Sequence, residues 1–371
     1  AVKILRVSYR VPPEPGGKER HVECLSREQA RRGHEVTLAF RRGTTVPDGA
    51  TVLQIRPTTL SRVLAAKSDV LAFAAETARA LRAAGPVDLV HLHGDHVEAA
   101  VLGPACRRLG IPLVLTVHAA LTRRHRRFAR RALRDVGAFI ALGVPTAEDL
   151  AASGADPARI LTMSSGLDTR RLAPYAVEAA REPGLVVTVG SLVPMKNHAL
   201  LIEAVHRLRR TRPETRLVIA GDGPERARLH RLAGTDPEIT FAGHLGRDDV
   251  YALVRRAEAF ALASRRLPGK GEGVPTAALE ALALGTPVVV SSDASLDPVV
   301  PDPATYRTFR SGSVDDLVAV LGAVLDDEAA RRRMSALGRQ AAAALDWTAV
   351  AGRVEDWYRV AFGPDRRGGA G

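Results

Sequence analysis

Two carboxylates, Glu272 and Glu280, stand with seven residues between them inside the run Gly271-Glu272-Gly273-Val274-Pro275-Thr276-Ala277-Ala278-Leu279-Glu280-Ala281-Leu282-Ala283-Leu284-Gly285. The stretch reads as a loop turning into a helix. Pro275 and Thr276 suit the first helical positions, and Gly285 suits the stop. A helix start leaves backbone N–H groups without partners, so Gly273, Val274 and Thr276 form a ready anion cradle, with Pro275 fixing the turn. One carboxylate would lie in the loop and the other about one turn into the helix. Such a site could hold a phosphate between two hydroxyl-binding groups. Two acids also invite a glycosidase-like acid and nucleophile, but the glycine loops and lysine elsewhere in the chain serve phosphate.

Three further stations carry chemistry. Gly16 and Gly17, in Pro12-Pro13-Glu14-Pro15-Gly16-Gly17-Lys18-Glu19-Arg20-His21, lie between a first strand and a helix, where glycine lets a phosphate approach the backbone closely. No G-x-G-x-x-G spacing follows that strand, so this is not a dinucleotide fingerprint. His118 ends the apolar run 113–117, at the strand end where open α/β sheets place their ligands. Lys196 lies in Gly190-Ser191-Leu192-Val193-Pro194-Met195-Lys196-Asn197, and the chain has only five lysines. His91, His93, Asp95 and His96 suggest a metal, with His91 and His93 on one strand face, but they offer no obvious complete ligand set.

These runs resemble, in order and over nearly the whole chain, the retaining glycosyltransferases of family 4. The likeness implies a GT-B fold: α/β, with two Rossmann-like doubly wound parallel-sheet domains facing a central cleft. It also implies transfer of a sugar from a UDP- or GDP-type donor to a hydroxyl acceptor, a small molecule or a glycolipid. By resemblance Glu272 touches the sugar, and 273–276 hold sugar and phosphate. Glu280 takes the ribose hydroxyls, and His118 lies over the sugar. Gly16, Gly17, Gly190 and Ser191 line the donor, with His244 placing backbone near the base. Lys196 falls on the lysine that stabilises the leaving diphosphate, but Ser191 occupies the place of that family's arginine. Arg265, Arg266 and Lys270 are the candidates to replace it. Ser165 stands where asparagine is usual. The family works without a bound metal, so no cofactor is expected. A relative that binds a sugar nucleotide without making a glycoside is the alternative.

The elements that must position these residues follow from periodicity. Strands at 2–8, 36–40, 89–93, 113–118 and 138–142 alternate with helical segments, and a second set begins at 185, 217, 239, 259 and 287. That alternation argues for parallel sheets. The expected division is 1–170 and 171–345, with 159–183 as linker. A helix at 346–362 is expected to cross back onto the first domain, ahead of a polar tail at 363–371.

Bulk composition narrows the class. Hydrophobic content of 46% and charged content of 25% are those of an ordinary globular chain of two domains over 371 residues. No apolar run is long enough to span a bilayer, and residues 1–7 read as a strand rather than a leader. Cys24 and Cys106 fit buried thiols in a reducing cytosol. The excess of Lys and Arg over Asp and Glu gives +12, which favours anionic partners. Nucleic acid is not expected, because aromatics are 4% and no nucleic-acid motif is present. The basic stretch 122–134, with Phe128, Ala129, Ala132 and Leu133 as an apolar stripe, suggests peripheral contact with anionic lipid at the inner face of the membrane.

Overall fold

The computed structural model describes residues 1–14, 16–118, 121, 126–177, 180–268 and 270–362. The expected tail and the first residues of the basic stretch, 122–125, lie outside them. The chain forms two compact units. One comprises Ala1–Gly166 with the segment from Trp347 onward, and the other Leu167–Asp346.

In the N-terminal unit the order is β1 (Lys3–Ser8), α1 (Gly17–Arg31), β2 (Glu35–Ala39), β3 (Ala50–Val52), α2 (Thr59–Ala65), α3 (Asp69–Ala80), β4 (Leu89–His93), α4 (His96–Leu109), β5 (Leu113–Val117), α5 (Arg126–Leu133), β6 (Ala138–Ala141), α6 (Val144–Ala152) and β7 (Ile160–Thr162). The sheet runs β3-β2-β1-β4-β5-β6-β7, and every pairing is parallel. β7 corrects the linker expected at 159–183. Its three residues are too few to show an alternation, and only pairing with β6 identifies it.

The C-terminal unit runs α7 (Thr169–Leu172), β8 (Glu182–Val189), α8 (His198–Leu208), β9 (Arg216–Ala220), α9 (Arg226–Ala233), β10 (Ile239–Gly243), α10 (Arg247–Arg256), β11 (Ala257–Leu262), α11 (Thr276–Ala283), β12 (Val288–Ser291), β13 (Arg307–Phe309), α12 (Val314–Asp326) and α13 (Glu328–Ala343). Its parallel sheet has the order β10-β9-β8-β11-β12-β13. The last helix, α14 (Trp347–Ala361), belongs to the N-terminal unit, where it packs on α1, β5 and β6.

Each sheet is covered on both faces, so its central strands are apolar on both sides. In the N-terminal sheet one face buries Leu5, Val7, Val90, Leu92, Leu115 and Val117. On the other, Ile4, Leu89 and Val114 pack beneath Leu25, Val350, Val354 and Tyr358. Moving along this second face by the strand period of two, each strand turns polar toward its carboxyl end. Ile4 gives way to Arg6 and Ser8, Leu89 to His91 and His93, and Val114 to Thr116 and His118. The pairing register sets these side by side, Arg6 opposite His91, and His93 opposite both Ser8 and Thr116.

Strand order reverses between β1 and β4 in one sheet and between β8 and β11 in the other. These switch points open crevices at the carboxyl ends of the strands, where open α/β sheets take ligands. The residues singled out by type and spacing hang mainly from these points.

Candidate active site

At the switch point of the C-terminal sheet, the loop after β8 carries Lys196 and the loop after β11 carries Glu272. Lys196 Nζ lies 2.5 Å from Glu272 Oε1, with the two side chains 17% and 12% exposed. Ser264 Oγ donates to the other carboxylate oxygen at 2.6 Å. Glu272 is thus fixed through both oxygens, whereas an ammonium has three donors and Glu272 takes one. The aliphatic stem of Lys196 lies over Gly190, in ordinary contact with the position a Cβ would occupy. Gly190 N–H donates to Ala220 O at 3.0 Å and Gly221 N–H to Gly243 O at 2.7 Å, so the loops after β8, β9 and β10 are tied together. Ser191 and His244 are exposed.

α11 starts beside Glu272. Its N-cap is Pro275, with no side-chain capping bond and no acid in its first turn. The partial positive charge of the helix start is therefore uncancelled by its own sequence, and Gly273, Val274 and Thr276 flank it. Glu280 sits about one turn further in and accepts from Tyr251 Oη at 2.9 Å. The three cationic candidates differ. Arg265 is stitched to the Lys196 loop, its backbone N–H to Met195 O at 2.8 Å and its Nε to Pro194 O at 3.2 Å. Arg266 uses its backbone N–H on Asp293. Lys270 pairs backbone to backbone with Leu267 in a tight turn and leaves its side chain exposed.

The N-terminal sheet builds a different constellation. Arg6 is fully buried, and among the described residues no carboxylate pairs with it. Its Nη1 lies 3.1 Å from His93 Nε2 and 3.4 Å from His91 Nδ1, and its Nη2 donates to Gln29. His93 Nδ1 is 3.0 Å from His118 Nε2. Burial, and then the charges of His91 and Arg6, hold His93 well below its ordinary pKa. Burial does the same to His118, followed by the charges of His21 and Lys18.

Proton positions follow from this geometry. A guanidinium only donates, so His93 Nε2 accepts and the neutral ring carries its proton on Nδ1. His93 then donates to His118 Nε2, which leaves the His118 proton on Nδ1. His91 is set likewise: Tyr358 Oη at 2.8 Å and Arg6 share its Nδ1, and its Nε2–H serves Thr116 Oγ1 at 2.7 Å. His118, the half-buried end of this chain, is therefore a neutral donor through Nδ1.

His21 joins the group. Its Nδ1 meets Ser165 Oγ at 2.8 Å, and its ring lies edge-on to His118 at 4.9 Å and to Trp347 at 5.2 Å. Burial, then Arg6, lowers its pKa to about 3. His21, His93 and His118 place ligating atoms within 4.8 Å of one another. They fit a metal poorly. A metal-bound imidazole normally donates its second N–H to an acceptor, whereas His93 Nε2 faces a cation that only donates. The metal set considered from sequence does not assemble either, since Asp95 caps α4 through Val97 N–H and His96 packs against Phe128.

Gly16 is the N-cap residue of α1, with Gly17 opening the helix, and Glu19 places a carboxylate in that first turn. His21 closes the glycine run 12–21 without a role of its own in the sequence, and nothing there marks Arg6 or Ser264 as part of a site. The available signal was the polar drift at the ends of β1, β4 and β5, where apolar residues would otherwise continue.

Comparison with known proteins agrees with this architecture. Residues 15–171 match the Glycosyltransferase Family 4 model and residues 175–341 match Glycosyl transferases group 1. A Mycobacterium tuberculosis protein named glycogen synthase is 30% identical over 99% of this chain and 96% of its own. An MMP alpha-(1->4)-mannosyltransferase of Mycolicibacterium hassiacum is 28% identical over 97% of this chain and 98% of its own. The structure of Anabaena Alr3699/HepE in complex with UDP superposes with a TM-score of 0.74 at 18% identity, covering 96% of this chain and 99% of that one. With two parallel-sheet Rossmann-like domains and a relative of this identity along its whole length, the chain belongs to glycosyltransferase family 4 and is a glycosyltransferase of the GT-B fold.

Proposed function

We propose that the enzyme moves a sugar from a UDP- or GDP-type donor to a hydroxyl acceptor with retention of anomeric configuration. The observation that carries this reading is Lys196 held against Glu272 beside the uncapped start of α11. As the bond from the anomeric carbon to the phosphate oxygen breaks, negative charge grows on the diphosphate. Lys196 and the α11 backbone are placed to meet it. The acceptor oxygen bonds to the same face of the sugar and its proton passes to the leaving phosphate. Glu272 orients sugar hydroxyls, Glu280 the ribose, and His118 donates through Nδ1 to the sugar. Arg265 is the cation we assign to the place that Ser191 leaves vacant, because it is stitched to the Lys196 loop.

Thermal melts with UDP, GDP, ADP and dTDP test the donor. A nucleotide at about 100 times its Kd should stabilise by about 2.7 kcal/mol, and indifference to all four would sink the reading. Anomeric coupling in the product tests retention. Ser191 favours a second reading, a relative that binds the donor without transfer. Binding with neither hydrolysis nor transfer would select it.

We also propose a cytoplasmic enzyme with peripheral contact to anionic membrane through 122–134. Ala129, Ala132 and Leu133 of this stretch are buried, leaving Phe128 48% exposed among exposed Arg127, Arg130, Arg131 and Arg134. No helix among the described residues is long and apolar enough to cross a membrane. Vesicle binding that ignores anionic lipid content would remove this contact.

A further inference from the structure

The amino ends of β8 and β11, opposite the edge that holds Lys196 and Glu272, border a second concave surface. A cavity of about 600 Å³ is lined there by Arg181, Glu258, Arg331, Arg332, Ser335 and Arg339 among others. Arg181 immediately precedes β8, Glu258 belongs to β11, and the rest come from α13.

Two of the four guanidiniums have acids. Arg331 Nη2 donates to Glu258 Oε1 at 3.0 Å, and Arg332 Nη2 to Glu328 Oε1 at 2.6 Å. Arg181 spends its donors on neutral oxygens: Nη1 on Arg255 O and Ala257 O, each at 2.9 Å, and on Thr286 Oγ1 at 3.1 Å, and Nη2 on Gly285 O. It closes helix ends, as a cation at carbonyl termini does. Arg339 does nothing comparable. It lies against Gly285, where a Cβ would come 2.6 Å from its Cζ. Its Nε is buried with no acceptor, and among the described residues no acid pairs with it. Burial, and then the neighbouring Arg339 charge, pull the Arg181 pKa down to about 10.

Four guanidiniums thus line one cavity with two carboxylates, Glu258 and Glu328, each already held by another arginine, and Arg339 is left with open donors. A planar guanidinium with open donors fits a tetrahedral oxyanion bidentately. The cavity exceeds a bare phosphate and is in the range that takes small organic ligands. We propose that it is a binding site for a phosphate monoester, its dianionic head taken by Arg339 with Arg181 behind, and its organic body filling the remaining space toward Ala336. This site does not depend on the donor assignment. α11 runs between the two edges, with Glu272 just before its first turn and Gly285, just after its last, against Arg181 and Arg339.

Calorimetric titration of glycerol 3-phosphate and inorganic phosphate into the full chain tests the site. The wild type should bind glycerol 3-phosphate, and Arg339→Gln should weaken it by at least about tenfold. Ala336→Glu adds a negative charge to the wall at an exposed helical position, so it should abolish binding without unfolding the chain. Lys196→Ala should leave the affinity within about twofold. No binding to the wild type, equal affinity in Ala336→Glu, or loss in Lys196→Ala would each overturn the proposal. The last would move the phosphate to the donor loops.

Discussion

At the β1/β4 switch point a single guanidinium is buried among neutral imidazoles, and its donors set the tautomers of His91 and His93. At the β8/β11 switch point a lysine and a glutamate meet at the half-open end of two loops, with a bare helix start beside them. The strands order themselves in the same way around both points, so the backbone offers the same crevice twice. The difference lies in what must be held still. Charges on loops can exchange partners when an anion arrives, whereas a strand-borne network in which Arg6 sets the His93 proton, and His93 that of His118, presents one donor, His118 Nδ1, in one orientation. The first arrangement suits a group whose charge changes during reaction, and the second a group that keeps its charge.

Removing Lys196 tests the charged half most severely. Lys196→Ala should lower kcat/KM by about 10²- to 10³-fold, with the melting temperature little changed because the side chain is partly exposed. A loss confined to KM would show that Lys196 binds the ground state and the transition state equally. That outcome would erase the contrast drawn between the two crevices.

The neutral half should respond through geometry. His93→Phe keeps a ring of similar size but donates nothing to His118 Nε2, so His118 is free to place its proton there instead. We expect a fall in kcat of about tenfold to a hundredfold. In imidazole nitrogen NMR, the His118 proton should move from Nδ1 in the wild type to Nε2 in the variant. Finding Nε2–H already in the wild type would refute the directed chain whatever the activity. A normal rate in His118→Ala would instead dismiss its role toward the sugar.

These two regions were unequally legible in the sequence. Lys196, Glu272 and Glu280 stand in loops or at a helix start, where a lysine or glutamate among glycines has few structural reasons to occur, and the motif could be read locally. β7 was invisible because three residues carry no period, and Arg6 because a lone arginine in a strand has no distinguishing neighbour. Its partners lie 23, 85 and 87 residues away in the chain, joined only by strand register and by Gln29 on α1. The arginines of the second cavity were hidden for the same reason, scattered between Arg181 and Arg339 among many surface arginines.

Acid should also separate the halves. His21 falls from 6.5 to about 3 and His91, His93 and His118 are all depressed, by burial first. Below about pH 6.5 the unfolded chain therefore binds protons that the folded one refuses. Stability should fall as pH drops, by up to about 1.4 kcal/mol per pH unit for each imidazole. Glu98, raised by burial and then by Asp95, runs the opposite way, whereas His198 of the C-terminal unit, lowered by burial to about 4, adds to the loss, so among the described residues it is one group against five. Melts between about pH 7 and about pH 5 should show the loss, and Arg6→Met should make it only somewhat shallower, since burial is the first cause at His21, His91 and His93 and the Arg6 charge a lesser one. A flat wild-type profile would mean that the cluster takes up protons readily and that the contrast in charge is false.

The smallest effect discriminates among the cations around Lys196. Arg265 has one side-chain bond to Pro194 O and a backbone bond to Met195 O, so its guanidinium travels with the loop that carries Lys196. Lys270 is held only through its own turn and is exposed. An exposed charge beyond contact is screened over about 10 Å in ordinary salt. Arg265→Ala should therefore cost kcat about three- to tenfold, and Lys270→Ala less than about twofold, with raised salt shrinking the Lys270 difference further. If Lys270→Ala proves the more damaging, the turn at 267–270 must bring its ammonium to the diphosphate during catalysis. The C-terminal crevice would then depend on a moving loop, and the rigidity argued for the other crevice would become the sharper distinction between them.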